Sequence, residues 1–465
     1  MQDMSQDDTS TEFLVLGGGI SGLSLARQLA ARHHGNVVLL ERNPQVGGLA
    51  KGLEWHGIPL DMGSHRIHSG FQLAALQLIE QLLDGDLRAR KRKGSILVNG
   101  EFLHYPPSLA TIGTSFGIRQ SLVFLKDFVE ASLATLLRAT DQGSFESYLR
   151  GNIGDSLYEY FYRPYAEKLW GLPPDQISFE PAVARLHRVR GFRTRSKRDL
   201  FYYPKGGMGQ IAEALRKEIG RHGGTVLTGA EVAELHFEKQ SVRAVARLWH
   251  EDRVHTVRGR TCISTLPLRA TWGLAGLLPE ELPLRWRSLR VVYLLYAAPL
   301  GRDIDTYYFP DPQLRIGRVS SIHRFNPELP DPANRILTIE VPCSESDDLW
   351  TLPEQELSQI VHHELLATGV VHAAHGAPMD VKTLGLCDVY PIYDLGWRER
   401  WARVMERISR FDRLFLAGRS ALFLHCNIDH CMTMSQRLSA CMESPEARTE
   451  WRAEIDAYPL LRLKE

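Results

Sequence analysis

Residues 13–22, FLVLGGGISG, decide the fold of this chain. A short apolar strand runs into a turn whose glycines, Gly17, Gly19 and Gly22, are spaced as G-x-G-x-x-G, and an Ala/Leu-rich helix is predicted directly after it. A second apolar strand, residues 37–41, completes a strand–turn–helix–strand unit of about 30 residues. Such a unit requires parallel strands joined by a right-handed crossover. The sequence therefore predicts an α/β fold that contains a Rossmann-type unit.

This glycine turn has the chemistry of a dinucleotide-binding site. The spacing permits a tight turn and close approach of the backbone to a pyrophosphate, while the helix N-terminus offers unpaired N–H groups. Glu41 ends the second strand about 20 residues later, where a carboxylate accepts hydrogen bonds from a ribose 2′-OH and repels a 2′-phosphate. A ligand-free glycine turn is the alternative, and the coincidence of four signals disfavours it. The predicted contacts are Gly17, Gly19, Ile20, Ser21, Gly22 and Glu41.

Composition excludes several classes of protein. The 465 residues are 44% hydrophobic and 24% charged, with 55 basic and 55 acidic side chains, so we expect a globular protein with no general attraction to nucleic acid. The six cysteines form no C-x-x-C pair, which favours reduced, mostly buried thiols and no zinc site. No apolar run is long enough for a membrane span. The acidic N-terminus lacks a signal-peptide pattern, so we expect a cytoplasmic protein, with peripheral membrane contact left open.

The secondary-structure pattern along the chain predicts interleaved domains. Predicted segments are a Rossmann half at 12–70, a mainly helical substrate-proximal region at 71–200, a return to the cofactor domain at 201–275, a mixed-sheet substrate domain at 276–385, and a C-terminal cofactor-binding segment with a final helix at 386–442. Asn99-Gly100 predicts a hairpin turn within 94–103. The apolar stretch 121–137 predicts a buried helix.

The residues after Glu41 indicate which dinucleotide is bound. Glu41-Arg42-x-x-x-x-Gly47-Gly48 resembles the second glycine motif of the FAD family that contains amine oxidases, protoporphyrinogen oxidases and UDP-galactopyranose mutases. In that family the glycine pair runs beside the cofactor. The resemblance implies FAD as the cofactor, with contacts from Arg42, Gly47, Gly48 and Leu49.

Three more segments resemble the cofactor site of this family. Residues 61–69, DMGSHRIHS, are similar to the mutase stretch that passes the flavin ring. Residues 229–232 resemble the strand whose backbone holds the adenine, and 416–430 are similar to the mutase pattern G-R-x-x-x-Y-x-x-x-[ND]-M-D. Polar turns, a salt bridge and a helix cap are the structural alternatives. The implied contacts are Gly63, Ser64, His65, Arg66 and Val232, then Gly418 and Arg419 at phosphate, and Asn427, Ile428 and Asp429 at the flavin.

The substrate side is implied by residues 158–178, whose pattern Y-x-x-K-x-W-G resembles a segment that borders the substrate in mutases and porphyrinogen oxidases. Its aromatic residues fit a protein core equally well. The residues expected to line the substrate pocket or to act as acid, base or positioning groups are His65, His68, Arg163, Tyr165, Trp170, Tyr390 and Tyr393.

The sequence also departs from the family. Phe423 stands where mutases carry a tyrosine that bonds substrate phosphate, and His425 and Cys426 replace two further aromatic positions. No aromatic-cage signature of amine oxidases is present. These departures weaken the case for a uridine diphosphate or an amine as substrate.

Three functional hypotheses follow. The leading one is an FAD-dependent oxidoreductase that passes a hydride from a sugar, nucleotide sugar or other small metabolite to flavin N5, with NAD(P)H or O2 as an external redox partner. The alternative is an isomerase of the mutase kind, in which reduced N5 attacks a nucleotide sugar. The third is a flavin-binding module without catalysis.

Overall fold

A computed structural model describes residues 7–105, 117–137, 143–180, 200–248, 254–300 and 303–458. The strands are β1 (Asp7–Leu16), β2 (Val37–Glu41), β3 (Gly52–Trp55), β4 (Ile58–Asp61), β5 (Ile67–His68), β6 (Leu87–Lys91), β7 (Gly94–Val98), β8 (Glu101–Tyr105), β9 (Leu200–Pro204), β10 (Thr225–Thr228), β11 (Ala230–Phe237), β12 (Val242–Leu248), β13 (Val254–Ser264), β14 (Trp286–Leu295), β15 (Thr306–Tyr308), β16 (Arg318–Ser320), β17 (Ile336–Cys343), β18 (Asp380–Pro391) and β19 (Leu414–Leu416).

The helices of the described residues are α1 (Ile20–Arg32), α2 (Leu73–Leu83), α3 (Gly117–Leu137), α4 (Phe145–Ile153), α5 (Asp155–Leu157), α6 (Arg163–Trp170), α7 (Gly209–Arg221), α8 (Leu268–Leu274), α9 (Ile322–Phe325), α10 (Asp348–Thr351), α11 (Glu354–Ala367), α12 (Trp397–Ile408), α13 (Ile428–Cys441) and α14 (Ala447–Ala457). A single π-helical turn, Tyr158–Tyr162, leads into α6. None of these helices is both long and apolar enough to cross a membrane.

The first large sheet is the predicted Rossmann sheet. Its strand order is β10-β2-β1-β13-β12-β11, and β19 also pairs with β13. The strands β10, β2, β1, β13 and β19 pair in parallel, whereas β12 and β11 are antiparallel. Because β1 and β2 come from the start of the chain, β13 from its middle and β19 from near its end, the sheet confirms the predicted interleaved α/β fold.

The second large sheet is mixed and has the order β18-β14-β17-β16-β15-β7-β8. Its strands pair antiparallel except for β15 and β7. Asn99 and Gly100 have φ of +51° and +82° and join β7 to β8, which confirms the predicted tight hairpin turn. This sheet faces the C-terminal ends of β1, β2 and β13 across a cavity lined by residues of both sheets.

The stretch predicted to be mainly helical, 71–200, contains the helices α2 to α6 among its described residues, together with three strands. It contributes β6 to a small sheet of order β5-β9-β6, and β7 and β8 to the second large sheet. Its helical part, α3 to α6, surrounds a separate apolar core that contains Phe145, Tyr158 and Trp170. The prediction that 121–137 is a buried helix is wrong for one face, because Phe124 is buried whereas Leu122 is 59% exposed.

Candidate active site

A cavity of about 1130 Å³ lies at the C-terminal edge of the parallel strands. Ligands of open α/β sheets bind at this edge, outside the carboxyl ends of the strands. Its walls come from the β1–α1 turn, the end of β2, the segments around Ser64 and Tyr308, and the residues before α13. Both large sheets therefore contribute side chains to one continuous site.

The glycine turn is built for close backbone approach. Gly17 has φ of +96°, a conformation that favours glycine. A Cβ on Gly22 would lie 1.9 Å from the Gly17 carbonyl oxygen, whereas a Cβ on Gly19 would meet only the Gly48 Cα at 3.9 Å. Gly22 thus lets α1 pack on β1, and Gly19 leaves open space at the cavity.

Helix α1 presents its N-terminus to this space. Gly19 is its N-cap and provides no side-chain cap, and the first N–H groups of any helix lack intrahelical acceptors. Ile20 and Ser21 line the cavity. The unpaired N–H groups and the helix dipole fit a bound pyrophosphate.

Glu41 is fixed at the cavity wall by its neighbours. Its side chain accepts hydrogen bonds from the Gly18 N–H at 2.7 Å and from the Asn43 backbone N–H at 2.8 Å, and the residue is 6% exposed. Each carboxylate oxygen can accept more than one hydrogen bond. The oriented carboxylate therefore retains the capacity to bind ribose hydroxyls, and its ribose contact stays a prediction.

A second helix N-terminus faces the same cavity. Asn427 and Ile428, at the start of α13, line it. Helix α13 is joined to α1 because the Ser435 hydroxyl donates to the Ser21 carbonyl oxygen at 2.9 Å. A Cβ on Gly418 would lie 2.3 Å from the Ser21 hydroxyl oxygen, so glycine is needed for this approach. Two helix N-termini on one elongated cavity fit a dinucleotide such as FAD.

A buried ion pair supports the segment around His65. The Arg318 guanidinium donates to Glu340 at 2.9 and 2.5 Å, and Glu340 also accepts the Ser64 N–H at 2.7 Å. Burial opposes ionisation of Glu340, yet the Arg318 charge keeps its pKa below the ordinary value. Glu340 therefore remains a carboxylate that fixes Ser64 at the cavity wall.

His65 is neutral at physiological pH. Burial lowers its pKa to about 4, with Glu340 opposing the shift and the cations Arg318 and Arg419 adding to it. Its Nδ1 is buried without a hydrogen-bond partner among the described residues. A neutral imidazole accepts or donates one hydrogen bond without carrying charge, so the geometry favours positioning over proton donation.

Asp61 is a buried carboxyl group that the sequence did not single out. It accepts hydrogen bonds from the Tyr203 hydroxyl at 2.6 Å and the Met208 N–H at 2.9 Å. Burial raises its pKa to about 7, and these two hydrogen bonds oppose the shift. Asp61 connects β4 and the cavity-lining segment that follows it to β9 and to the start of α7, so it supports the cavity wall without facing the cavity.

Basic and tyrosyl side chains form the wall that we name the basic wall: Arg66, Arg92, Tyr105, Lys168, Tyr308 and Arg318. Arg66 pairs with Asp305 at 2.9 Å, and Arg318 pairs with Glu340. Arg92 and Lys168 form no ion pair with a described carboxylate. Neither cation is among the residues predicted from the sequence, although Lys168 belongs to the Y-x-x-K-x-W-G pattern.

Many of the predicted site residues lie together at the cavity. The residues that line it are Gly17, Gly19, Ile20, Ser21, Glu41, Arg42, Gly47, Gly48, Leu49, Ser64, His65, Arg66, His68, Tyr165, Val232, Tyr390, Arg419, Asn427 and Ile428. Arg419 makes hydrogen bonds to the carbonyls of Val389 and Cys426, so its terminal nitrogens join two wall segments. Its predicted phosphate contact stays a prediction.

Three residues predicted for the substrate pocket do not line it. Arg163 is exposed and pairs with Glu159 and Glu167, because acids four residues away on either side lie on the same helical face. Trp170 is 2% exposed and packs in the helical core. The Tyr393 hydroxyl donates to the Phe423 carbonyl and accepts the His425 N–H, so Tyr393 supports the wall from behind.

Four residues predicted to contact the cofactor likewise do not line the cavity. Gly22 packs α1 on β1, Gly418 allows the approach of Ser21, and a Cβ on Gly63 would lie 3.1 Å from a Glu340 oxygen. The Asp429 carboxylate is 1% exposed and accepts the Gln72 N–H at 3.1 Å. These residues shape the site through packing and have no surface on the cavity.

Comparison with known proteins gives the family. The family described as flavin containing amine oxidoreductase matches residues 20–365. The chain is 24% identical to protoporphyrinogen oxidase 1, chloroplastic, of Arabidopsis thaliana over 191 residues, which are 39% of this chain and 34% of that protein. It is 27% identical to carotenoid 3,4-desaturase of Haloarcula japonica over 296 residues, 55% of each chain. The chain thus spans about a third to a half of the length of these curated relatives.

A crystal structure of reduced UDP-galactopyranose mutase shares the fold, with a TM-score of 0.76 and 17% identity over 96% of this chain and 97% of that one. The fold class and the resemblance stated from the sequence are confirmed. FAD as cofactor and an FAD-dependent oxidoreductase are confirmed at the level of the family, which also agrees with a small-molecule substrate. Because the match covers about three quarters of its residues, the chain belongs to the flavin containing amine oxidoreductase family.

Proposed function

We propose that this protein is an FAD-dependent oxidoreductase whose substrate is a small anionic metabolite that gives up a hydride. Bound FAD would supply the hydride acceptor at flavin N5. The observation that carries the proposal is the basic wall, where two cations, Arg92 and Lys168, have hydrogen-bond donors left over and no carboxylate partner among the described residues. A phosphate or a carboxylate on the substrate would satisfy both.

Arg92 is the first of these cations. Its guanidinium lies 5.4 Å from the ring centroid of Tyr105 and 3.5 Å from the Tyr308 hydroxyl. Its Nε is buried and has no hydrogen-bond partner in the described part of the chain. A buried donor without a partner is costly. An anionic ligand would remove that cost.

Lys168 is the second cation. Its ammonium group donates to the carbonyls of Phe309 at 2.6 Å and Ile316 at 3.0 Å. An ammonium group has three donors, so one remains for a ligand. The same contacts anchor the loop between β15 and β16 to α6, so Lys168 both shapes the wall and adds charge to it.

Aromatic rings and His65 complete the pocket. Tyr165, Tyr308 and Tyr390 line the cavity beside apolar residues such as Leu169. Rings of this kind exclude water and orient the apolar part of a substrate. Neutral His65 would orient a hydrogen-bonding group of the substrate or the flavin by accepting or donating one hydrogen bond.

Anaerobic mixing tests the proposal. Flavin-loaded protein is mixed with phosphorylated or carboxylated sugars and alcohols, each matched to its neutral parent. We expect loss of the oxidised flavin absorbance with an anionic compound and little or none with its neutral parent. Equal reduction by both members of each pair would contradict the anionic substrate. An isomerase of the mutase kind would instead leave oxidised flavin unchanged and convert a nucleotide sugar only after dithionite reduction, and a non-catalytic module would do neither.

The pH dependence of substrate affinity tests the role of Lys168. Burial lowers the pKa of Lys168 to about 8, against the attraction of Glu364 and Asp311, so its charge is present below pH 8 and lost above it. We expect KM for the anionic substrate to rise by about tenfold as the pH passes from 7 to 9. The matched control is Lys168→Arg, whose guanidinium stays charged over this range. An identical rise of KM in Lys168→Arg would contradict the assignment.

A further inference from the structure

Two cysteines meet in the wall of the cofactor cavity. The sulfur atoms of Cys426 and Cys431 are 3.8 Å apart, and the residues are five positions apart in the sequence. Cys426 lies in the loop before α13, and Cys431 lies within the first turns of that helix. Each residue is 6% exposed, and both line the cavity.

This pair differs from the other described cysteines. Cys262 and Cys343 are fully buried in strands, and neither has a thiol neighbour or lines the cavity. Cys387 lines the cavity and is exposed, but forms no thiol pair, and the half-buried Cys441 neither lines the cavity nor forms a thiol pair. Only the pair therefore combines a second sulfur atom within reach with access from the cavity, among the residues that the structure describes.

The surroundings of the pair favour a thiolate on Cys431. The Cys426 thiol hydrogen-bonds to Cys431 and lowers its pKa below the ordinary value, and Ser21 and the Arg419 charge act in the same direction. The N-terminus of α13 adds its partial positive charge. The pKa of Cys426 is raised in turn by the shared hydrogen bond and by burial. The Cys431 sulfur is thus the better nucleophile of the two, and the Cys426 sulfur stays protonated beside it.

We propose that Cys426 and Cys431 are a modification site at which hydrogen peroxide forms a disulfide. The Cys431 sulfur attacks one peroxide oxygen, the O–O bond breaks, and the other oxygen leaves as water after taking up a proton. The resulting Cys431 sulfenic acid is attacked by the Cys426 sulfur, which forms the S–S bond and releases a second water. The two thiols together lose two protons and two electrons, and one peroxide is reduced to two waters.

Bond formation requires only a short movement. A disulfide needs a sulfur–sulfur distance of about 2.05 Å, against 3.8 Å in the reduced pair. The movement would draw the Cys426 loop toward α13, where Asn427 and Ile428 line the cofactor site. The modification would thus occur in the wall that holds the cofactor.

Peptide mapping of the flavin-loaded protein tests the site. The protein is treated with hydrogen peroxide, the peroxide is removed with catalase, and all remaining thiols are alkylated after unfolding. We expect the tryptic peptide 420–437, which contains both cysteines, to be lighter by two hydrogens than its reduced form and to resist alkylation at positions 426 and 431, while Cys262 and Cys343 remain fully alkylated. Full alkylation of both positions after peroxide treatment would overturn the proposal, as would oxidation of Cys387 alone.

Two variants assign the order of attack. In Cys426→Ser, we expect Cys431 to stop at the sulfenic acid, which dimedone traps. In Cys431→Ser, we expect Cys426 to remain an alkylatable thiol under the same treatment. Dimedone trapping at Cys426 in Cys431→Ser, at the rate seen at Cys431 in Cys426→Ser, would refute Cys431 as the attacking sulfur. Mapping of the wild-type protein decides the disulfide itself even if a variant does not fold.

Discussion

Gly19→Trp is expected to give a folded but colourless protein. Gly19 has φ of −72° and ψ of 174°, which any L-residue adopts, and an added Cβ would meet nothing closer than the Gly48 Cα at 3.9 Å. The indole would therefore enter the cavity at the N-terminus of α1, where a pyrophosphate needs the backbone. Flavin absorbance per mole of protein, together with a thermal unfolding curve, measures both parts of the prediction.

Two controls separate loss of the cofactor from loss of the fold. Gly19→Ala adds one methyl group into open space and is expected to retain most of the flavin. Gly22→Ala would place a methyl group 1.9 Å from the Gly17 carbonyl oxygen, so we expect unfolding or insolubility rather than a folded apoprotein. Full yellow occupancy in Gly19→Trp would show that the dinucleotide does not lie at this turn.

Arg92→Met is expected to lower kcat/KM for the anionic substrate by a factor of about 10²–10³, mainly through KM. Methionine keeps much of the packing against Tyr105 but removes the charge, and losing one partner of a buried charged contact costs about 3–4 kcal/mol. Flavin content is expected to stay at the wild-type level, because Arg92 contacts Tyr105 and Tyr308 of the second sheet and is not part of the glycine turn. Steady-state kinetics and the flavin-to-protein absorbance ratio measure the two effects.

The matched control for Arg92→Met is Arg163→Gln. Arg163 is exposed and pairs with acids on its own helix, so we expect kinetic constants close to those of the wild-type protein. The control also tests the sequence-based expectation that Arg163 borders the substrate. A loss in Arg163→Gln as large as the loss in Arg92→Met would show that the substrate binds on a different side of the cavity.

The cavity lining near the glycine turn is predictable from the sequence because its signals are local. The glycines of the β1–α1 turn and Glu41 lie within one strand–turn–helix–strand unit, and each has a backbone or charge requirement that few other residues meet. Gly48 and Asn427 are reached through family patterns that are also contiguous in the chain. Local sequence spacing therefore predicts most of the cavity lining near the glycine turn.

The substrate side is less predictable because it depends on tertiary contacts. Glu340 accepts a hydrogen bond from the Ser64 N–H, although the two residues are 276 positions apart in the sequence. No local sequence pattern predicts that contact. The chemistry of a tryptophan side chain fits a pocket wall and a protein core equally well. In the folded chain Trp170 packs against Phe145 in the helical core. The sequence of the apolar helix 117–137 likewise does not predict which face is buried, because burial depends on the residues that pack against Phe124.

A crystal structure of the purified yellow protein tests the central claim most directly. We expect FAD in the cavity, with its pyrophosphate within hydrogen-bond distance of the backbone N–H groups of Ile20 and Ser21, its adenosine ribose on the Glu41 carboxylate and its flavin ring near the start of α13. Electron density for FAD at any other place, or a cavity occupied by a different cofactor, would contradict the account.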